Sequence, residues 1–313
     1  MTQHWQFGIR ADGQPVSAHR LNSESGFQAV VLDQGAILQS FHLPDGQNIC
    51  LGFEDWESYE TDSGYIGRII GPNANRIVNA KFGIDEDQFH LLANDGVHNL
   101  HSGPRGFDAQ LWDAAITETG LRLELESPEE LPGFPGTVKA ALNISLVKNK
   151  LRLEMEATSD RPTPLNMTWH PYWNLSNTPR IDGHELLVDA ETHSELESDQ
   201  ALQVRNTRYD FRKALPLGSV QLDSNYIDVN RAVLTVRQTA MTVTSSLPDM
   251  QIYTGDSLSR PRTGIAIEPQ FRPNDINFAQ DSLLRPGETY NHWIEYCFDE
   301  IYRTEAAFTQ SKP

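Results

Sequence analysis

The sequence predicts an all-β sandwich or barrel, on three observations. Apolar and polar residues alternate with period two over many short segments, Gly, Pro, Asn and Asp punctuate these segments closely, and no long segment sustains helical periodicity. Successive side chains of a strand point to opposite faces, so each alternating segment makes a half-buried strand. The clearest are Leu121, Leu123 and Leu125, alternating with Arg122, Glu124 and Glu126, and Leu151, Leu153 and Met155, alternating with Arg152, Glu154 and Glu156. Along the chain, strands are expected at Gln28–Leu32, in these two segments, and at Ala140–Val147, His184–Asp189, Ala232–Val236, Met241–Thr244, Met250–Tyr253, Gly264–Glu268 and Asn291–Phe298. Short helices are expected at Asp55–Thr61 and near Ser198–Arg205. Neither a Ser/Gly/Pro-rich linker nor a repeat of solenoid or propeller length interrupts the pattern, so the reading is one domain over residues 1–313.

Composition narrows the class. The 313 residues are 38% hydrophobic and 22% charged, a globular profile, and no apolar run approaches the roughly 20 residues that span a bilayer. Two cysteines, Cys50 and Cys297, are too few for a disulfide framework, and the first residues lack a basic stretch followed by an apolar one. The location therefore reads as cytoplasmic. The net charge of −18 is spread along the chain and repels phosphate backbones and anionic lipid, so neither nucleic acid nor membrane is expected as a partner.

Four segments break the alternation and concentrate polar, aromatic and glycine residues: Ile66 to Ile77, Asn99 to Asp108, Asn166 to Leu175, and Ile265 to Asp275. Singly, each has an ordinary structural explanation. A histidine in a Gly/Pro loop is usually a surface or capping residue, and Glu268 can be the first solvated residue after an apolar strand. Arg76 can be an ion-pair partner, and Trp169 and Trp173 can be core. Together, four such loops on a β scaffold resemble the wall of a small-molecule pocket. Arg, Asn, Gln, Asp and His match the hydroxyls of a sugar, and tryptophan rings match its apolar C–H faces. The chain lacks a Gly-x-Ser-x-Gly elbow, a phosphate-cradling glycine loop and a Cys-x-x-Cys pair. His101 and His170 can join a carboxylate as metal ligands, but no short His-x-His or His-x-Glu cluster accompanies either.

In order and at comparable spacing, these residues resemble the aldose 1-epimerase (galactose mutarotase) family. Asn75-Arg76-Ile77 is similar to the family's Asn-Arg-Ile segment, and Asn99-Leu100-His101 with Gly106-Phe107-Asp108 to its Leu-His-Gly-Gly and Gly-Phe-Asp segments. Asn166 with His170-Pro171-Tyr172-Trp173-Asn174-Leu175 resembles its Asn-Leu-Thr-Asn-His-x-Tyr-Phe-Asn-Leu. Asp223-Ser224-Asn225-Tyr226, Gln251-Ile252-Tyr253-Thr254-Gly255 and Glu268-Pro269-Gln270 resemble its three later motifs. The likeness runs from about Gly35 to Tyr296. It departs from the family at Trp169, where Asn is common, at Ser224, where His is common, and at Gly71-Pro72-Asn73, which replaces a Gly-Arg-x stretch.

The resemblance implies a large antiparallel β-sandwich, the galactose mutarotase-like supersandwich, with an open sugar-binding cleft and no cofactor or metal. Carried over residue by residue, it makes Glu268 the general base and His170 the general acid, with His101 completing the catalytic group. Arg76, Asn75, Asp223 and Gln251 are implied to hold the sugar. Trp169, a departure from the family, is expected on its own chemistry to stack on an apolar face of the sugar. The partner implied is a small sugar, and the protein a monomer or homodimer.

Interconverting anomers needs a base for the C1 hydroxyl and an acid for the ring oxygen. A carboxylate and a histidine supply these, and the Glu268 charge is expected to raise the pKa of His170. Two other readings share the scaffold. One is a non-catalytic sugar-binding protein. The other is a mutarotase that grips a phosphorylated, sulfonated or carboxylated sugar through Arg68, Arg105 or Arg272.

Overall fold

Three antiparallel sheets of four, nine and six strands carry the architecture, in a computed structural model that describes residues 3–127, 131, 133–194 and 200–300. The nine-stranded sheet runs, edge to edge, through Asp113–Ile116, Gly120–Glu126, Val138–Val147, Lys150–Ser159, Tyr290–Glu300, Thr239–Ser245, Arg231–Val236, Glu185–Val188 and Leu215–Pro216. The six-stranded sheet runs Tyr172–Trp173, Ile265–Gln270, Asp249–Tyr253, Asp223–Ile227, Thr192–Ser194 and Ala201–Gln203. Every strand expected from alternation is present, most with one or two extra residues at an end.

Alternation decides which face of each sheet is dry. On the nine-stranded sheet Leu123 stands opposite Leu142, and Leu142 opposite Met155, all with no exposed surface. Arg122, on the other face, bonds Asn143 across the strand pair at 3.0 Å. The apolar face meets Tyr226, Met250, Ile252, Ile265 and Ile267 of the six-stranded sheet in one core cluster. Deleting a fully buried leucine such as Leu153 from it costs about 2–5 kcal/mol. The remaining face of the six-stranded sheet is free of that core and carries a row of polar residues. Ser194 pairs with Asn225, Asn225 with Gln251, and Gln251 with Glu268, so four polar side chains form a row across four adjacent strands.

The helix expected at Asp55–Thr61 is Trp56–Glu60, with the Asp55 carboxylate capping the Ser58 N–H at 2.8 Å. It buries Trp56 and Tyr59 against the four-stranded sheet. The second expected helix is corrected. Ser198 and Asp199 lie outside the described residues, and Ala201–Gln203 is an edge strand paired with Thr192–Ser194.

Glu268 is not a solvated strand end. Its strand continues to Gln270, and Glu268 is 2% exposed. Trp169 is also corrected, since it is no sugar platform. It has no exposed surface, its Nε1 donates to the Ala36 carbonyl at 3.0 Å, and its ring meets Tyr296. Trp173 likewise packs on Phe41, Tyr296 and Phe298. Both indoles sit on the core side because Trp169 and Trp173 share a side-chain parity that Glu268 and its row do not.

Trp169→Ala is expected to cost about 3–5 kcal/mol in denaturant unfolding, by loss of a large buried ring. Trp169→Phe should leave the KM for sugar within twofold. A large KM increase in Trp169→Phe would return the residue to the cleft.

Candidate active site

The four polar segments are sewn to one another. Ile69–Ile70 pairs with Thr168–Trp169, Arg76–Ile77 with Asn99–Leu100, and Tyr172–Trp173 with Ile265–Ala266. Side chains complete the network. Asn166 exchanges two hydrogen bonds with the Phe271 backbone, donating at 3.1 Å and accepting at 2.9 Å. The Asn274 N–H donates to the Arg76 carbonyl at 2.9 Å. These ladders gather His101, His170, Arg76 and Asn75 over the polar row of the six-stranded sheet.

His170 is placed through its backbone. Its carbonyl accepts from the Gly67 N–H at 3.0 Å, and its N–H donates to the Arg68 carbonyl at 2.9 Å. Gly67 has φ +73°, and a Cβ there would stand 2.4 Å from the Leu38 carbonyl oxygen. Only glycine fits this close crossing. His170 Nε2 then lies 3.4 Å from Glu268 Oε2, with both side chains buried. The pair forms the floor of a cleft whose wall also carries Tyr65, Asn75, Arg76, His101, Asp223 and Gln251.

His101 is fixed in one tautomer. Its Nδ1 accepts from the Asn75 N–H at 3.1 Å, which puts the proton of the neutral ring on Nε2. Burial, with His170 and Arg76 nearby, holds its pKa well below the usual value. His101 therefore presents a neutral N–H donor. Arg76 Nε donates to Asp95 Oδ2 at 2.6 Å, and its Nη1 stands 3.9 Å from Asp223. Asp223 in turn accepts from Gln251 Nε2 at 2.6 Å. Among the described wall residues Arg76 is the one arginine or lysine, and two carboxylates flank it.

Electrostatics correct one expectation. Glu268 does not raise the pKa of His170. Burial lowers it to about 4, because desolvation penalises the imidazolium. Burial also pushes Glu268 well above its ordinary value, reinforced by the Asp223 charge and opposed by Arg76. Both shifts favour the neutral forms, so the pair holds one proton between its two members over a wide pH range.

Of the residues singled out from sequence, Glu268, His170, His101, Arg76, Asn75, Asp223 and Gln251 come together on the cleft wall, and Trp169 does not. Arg68 is a structural clamp. It is buried, donates to the Tyr59 and Asp108 carbonyls, and stands 3.9 Å from Asp62 and Asp108 carboxylates. Arg272 faces Asp249 at 3.8 Å, and neither it nor Arg105 lines the cleft. Sequence reasoning missed Tyr65, whose ring packs edge-on to His101 at 4.6 Å, and Asp95. Tyr65 adjoins the first polar segment, and that proximity is its one sequence signal. Asp95 sits in an ordinary Asn-Asp-Gly turn and has none. Among the described residues no three His, Cys, Asp or Glu side chains converge as a metal site.

Comparison with known proteins agrees with this geometry. The profile of the family described as Aldose 1-epimerase matches residues 17–297. The galactose mutarotase of Homo sapiens is 28% identical over 307 residues, covering 85% of this chain and 90% of that protein. The aldose 1-epimerase of Escherichia coli K12 is 29% identical over 336 residues, covering 93% and 97%. Among solved structures, an aldose epimerase homologue from C. elegans superposes with TM-score 0.85 at 27% identity, covering 90% of this chain and 98% of that one. The galactose 1-epimerase of Lactobacillus acidophilus gives TM-score 0.88 at 24% identity, covering 96% and 99%, a likeness of fold.

The raised pKa of Glu268 sets a stability test. Below its ordinary value of 4.5, folded and unfolded chains both keep the proton. Above it, the unfolded chain releases the proton first, so stability falls as pH rises toward the folded value. Glu268→Gln should therefore be more stable than the parent at neutral pH, since the amide has no charge to bury. The gain should vanish below pH 4.5. Thermal unfolding at both pH values measures it, and a destabilised variant at neutral pH would mean that the carboxylate is favourably paired.

Proposed function

This chain belongs to the aldose 1-epimerase family, and we propose that its cleft interconverts the α and β anomers of a neutral aldose, with Glu268 as general base and His170 as general acid. The observation that carries this reading is the buried Glu268–His170 pair, 3.4 Å apart at the floor of a cleft walled by hydroxyl-binding groups.

In this mechanism the C1 hydroxyl donates to Glu268, which favours the ionised carboxylate and moves the shared proton to His170. Glu268 takes the hydroxyl proton as the C1–O5 bond breaks, and His170 delivers its proton to O5. The open-chain aldehyde rotates about C1–C2 and closes on its other face, with both transfers reversed. His101 Nε2–H is a fixed donor for a sugar oxygen, and Asn75, Arg76, Asp223 and Gln251 hold hydroxyls. Tyr65, Tyr172 and Tyr253, rather than a tryptophan, supply the aromatic wall.

Substrate charge follows from the wall. Asp95 and Asp223 balance Arg76, so the cleft offers no net positive charge to an anion. Arg68 is occupied by carbonyls and carboxylates, and neither Arg105 nor Arg272 lines the cleft, so none of the three arginines singled out by sequence is on its wall to grip an acidic sugar. A neutral hexose such as glucose or galactose is the substrate class proposed. Cys50 and Cys297 remain free thiols, which supports work in a reducing cytoplasm.

Polarimetry on freshly dissolved α-glucose and α-galactose, beside glucose 6-phosphate, tests the reading. Glu268→Gln and His170→Asn should each lower kcat at least a hundredfold, the scale of a positioned acid or base. A variant that keeps a tenth of the parent kcat loses its assigned role. A tenfold preference for the phosphorylated sugar would overturn neutral specificity.

The pH profile is a separate test. An unperturbed glutamate and histidine working as base and acid would confine activity between about 4 and about 6.5. Here the single-proton state extends from about 4, where His170 gains a second proton, to the raised value of Glu268. The profile of kcat/KM should therefore stay flat through 6.5. A decline centred there would show that His170 titrates normally.

A further inference from the structure

The polar row does not stop at the cleft. Beyond Gln251 it continues to Asn225 and Ser194, which are 2% and 7% exposed and do not line the cleft. They line an adjoining recess of about 300 Å³, together with Pro273. Asn75, Arg76, Asp223 and Gln251 form the partition that the two spaces share.

Two buried polar atoms on residues lining this recess lack partners. Gln251 Nε2 donates to Asp223, but Gln251 Oε1 has no hydrogen bond. Asn225 Oδ1 accepts from the Ser194 hydroxyl at 3.4 Å, but Asn225 Nδ2 has no acceptor. A buried donor or acceptor left without a partner is destabilising. Asn225 and Gln251 are register partners on adjacent strands, so the unmet donor and the unmet acceptor are neighbours. A hydroxyl accepts one hydrogen bond while donating another, and thus satisfies both.

The register also says which part of a sugar arrives there. His170 precedes Tyr172–Trp173, the strand on one side of Ile265–Gln270, and Gln251 belongs to the strand on the other side. With C1 at Glu268 and the ring oxygen at His170, C2 and C3 lie on the Gln251 side. Asn225 stands two strand spacings from Glu268, roughly 10 Å.

We propose that this recess is a second subsite of the cleft, holding a hydroxyl-bearing group, such as a second sugar unit, attached at O2 or O3 of the aldose. Ser194 orients the Asn225 amide, and Asn225 and Gln251 read the incoming hydroxyl. The proposal rests on the acid–base assignment given above.

Polarimetric kcat/KM values for glucose and for glucose carrying an α-glucosyl group at O2 or at O3 test it. At least one of the two disaccharides should keep a tenth or more of the value for glucose. Asn225→Leu, which removes the amide at similar volume, should lower the disaccharide-to-glucose ratio at least tenfold. Should that variant fail to fold by circular dichroism, Ser194→Ala, which frees the amide to rotate, should lower the ratio at least threefold. Normal glucose turnover with both disaccharides below a tenth overturns the subsite alone, as does an unchanged ratio in the folded variant. Loss of glucose turnover in the parent, or full activity in Glu268→Gln, overturns the acid–base assignment and the subsite with it.

Discussion

The cleft is organised by a carboxyl group that has been taken out of water. Burying Glu268 disfavours its charge, and the opposed influences of Asp223 and Arg76 do not cancel that cost. His170, equally dry, is driven the other way. A carboxyl that would be charged in water at neutral pH and an imidazole that would be partly charged thus sit close together with one proton between them. A sugar hydroxyl tips the balance between them. The stability lost by burying the carboxyl is the counterpart of its readiness to accept a proton.

Such a pair works only if it is held, and the holding is done by backbone. Gly67 lets the segment before Arg68 pass under Leu38 and bond His170 on both sides of its peptide plane. Asn75 sets the His101 tautomer through its own N–H. The two arginines of the first polar segment divide the labour. Arg68 is spent on carbonyls and carboxylates that tie Tyr59, Asp62 and Asp108 together. Arg76, eight residues later, keeps part of its guanidinium toward the cleft and is balanced by Asp95 and Asp223. Similar charges thus serve the frame and the site, and burial with partner geometry separates them.

Much of this was legible in the sequence because strand alternation is a local property. Leu121 to Glu126 and Leu151 to Glu156 show their wet and dry faces by composition, and the described strands follow. Most site residues were legible in loops that break the pattern, whereas Asp223 and Gln251 stand in strands and were legible only through the family resemblance. What stayed hidden depends on contacts between distant segments. Trp169 has the composition of a sugar platform, but its neighbours Ala36 and Tyr296 are more than a hundred residues away, and they make it core. Asp95 acquires meaning only when the pairing of Arg76–Ile77 with Asn99–Leu100 brings it to Arg76. The pKa of His170 was misjudged for the same reason. Proximity to Glu268 follows from a motif, whereas depth of burial is decided by the whole fold.

The six-stranded sheet explains why frame and site are hard to separate. Along Asp249–Tyr253, Met250 and Ile252 enter the sandwich core, and Gln251 and Tyr253 face the cleft. Along Ile265–Gln270, Ile265 and Ile267 are core, and Glu268 is the proposed base. Period-two geometry therefore makes each strand answer to two solvents, one apolar and one sugar. A one-residue slip would carry Glu268 into the hydrophobic core and an isoleucine into the cleft. The apolar face fixes the register, and the register sets Glu268, Gln251, Asn225 and Ser194 in line. Packing energy on one side of the sheet is thereby converted into alignment of polar groups on the other, which is what acid–base chemistry on a ring with several hydroxyls requires.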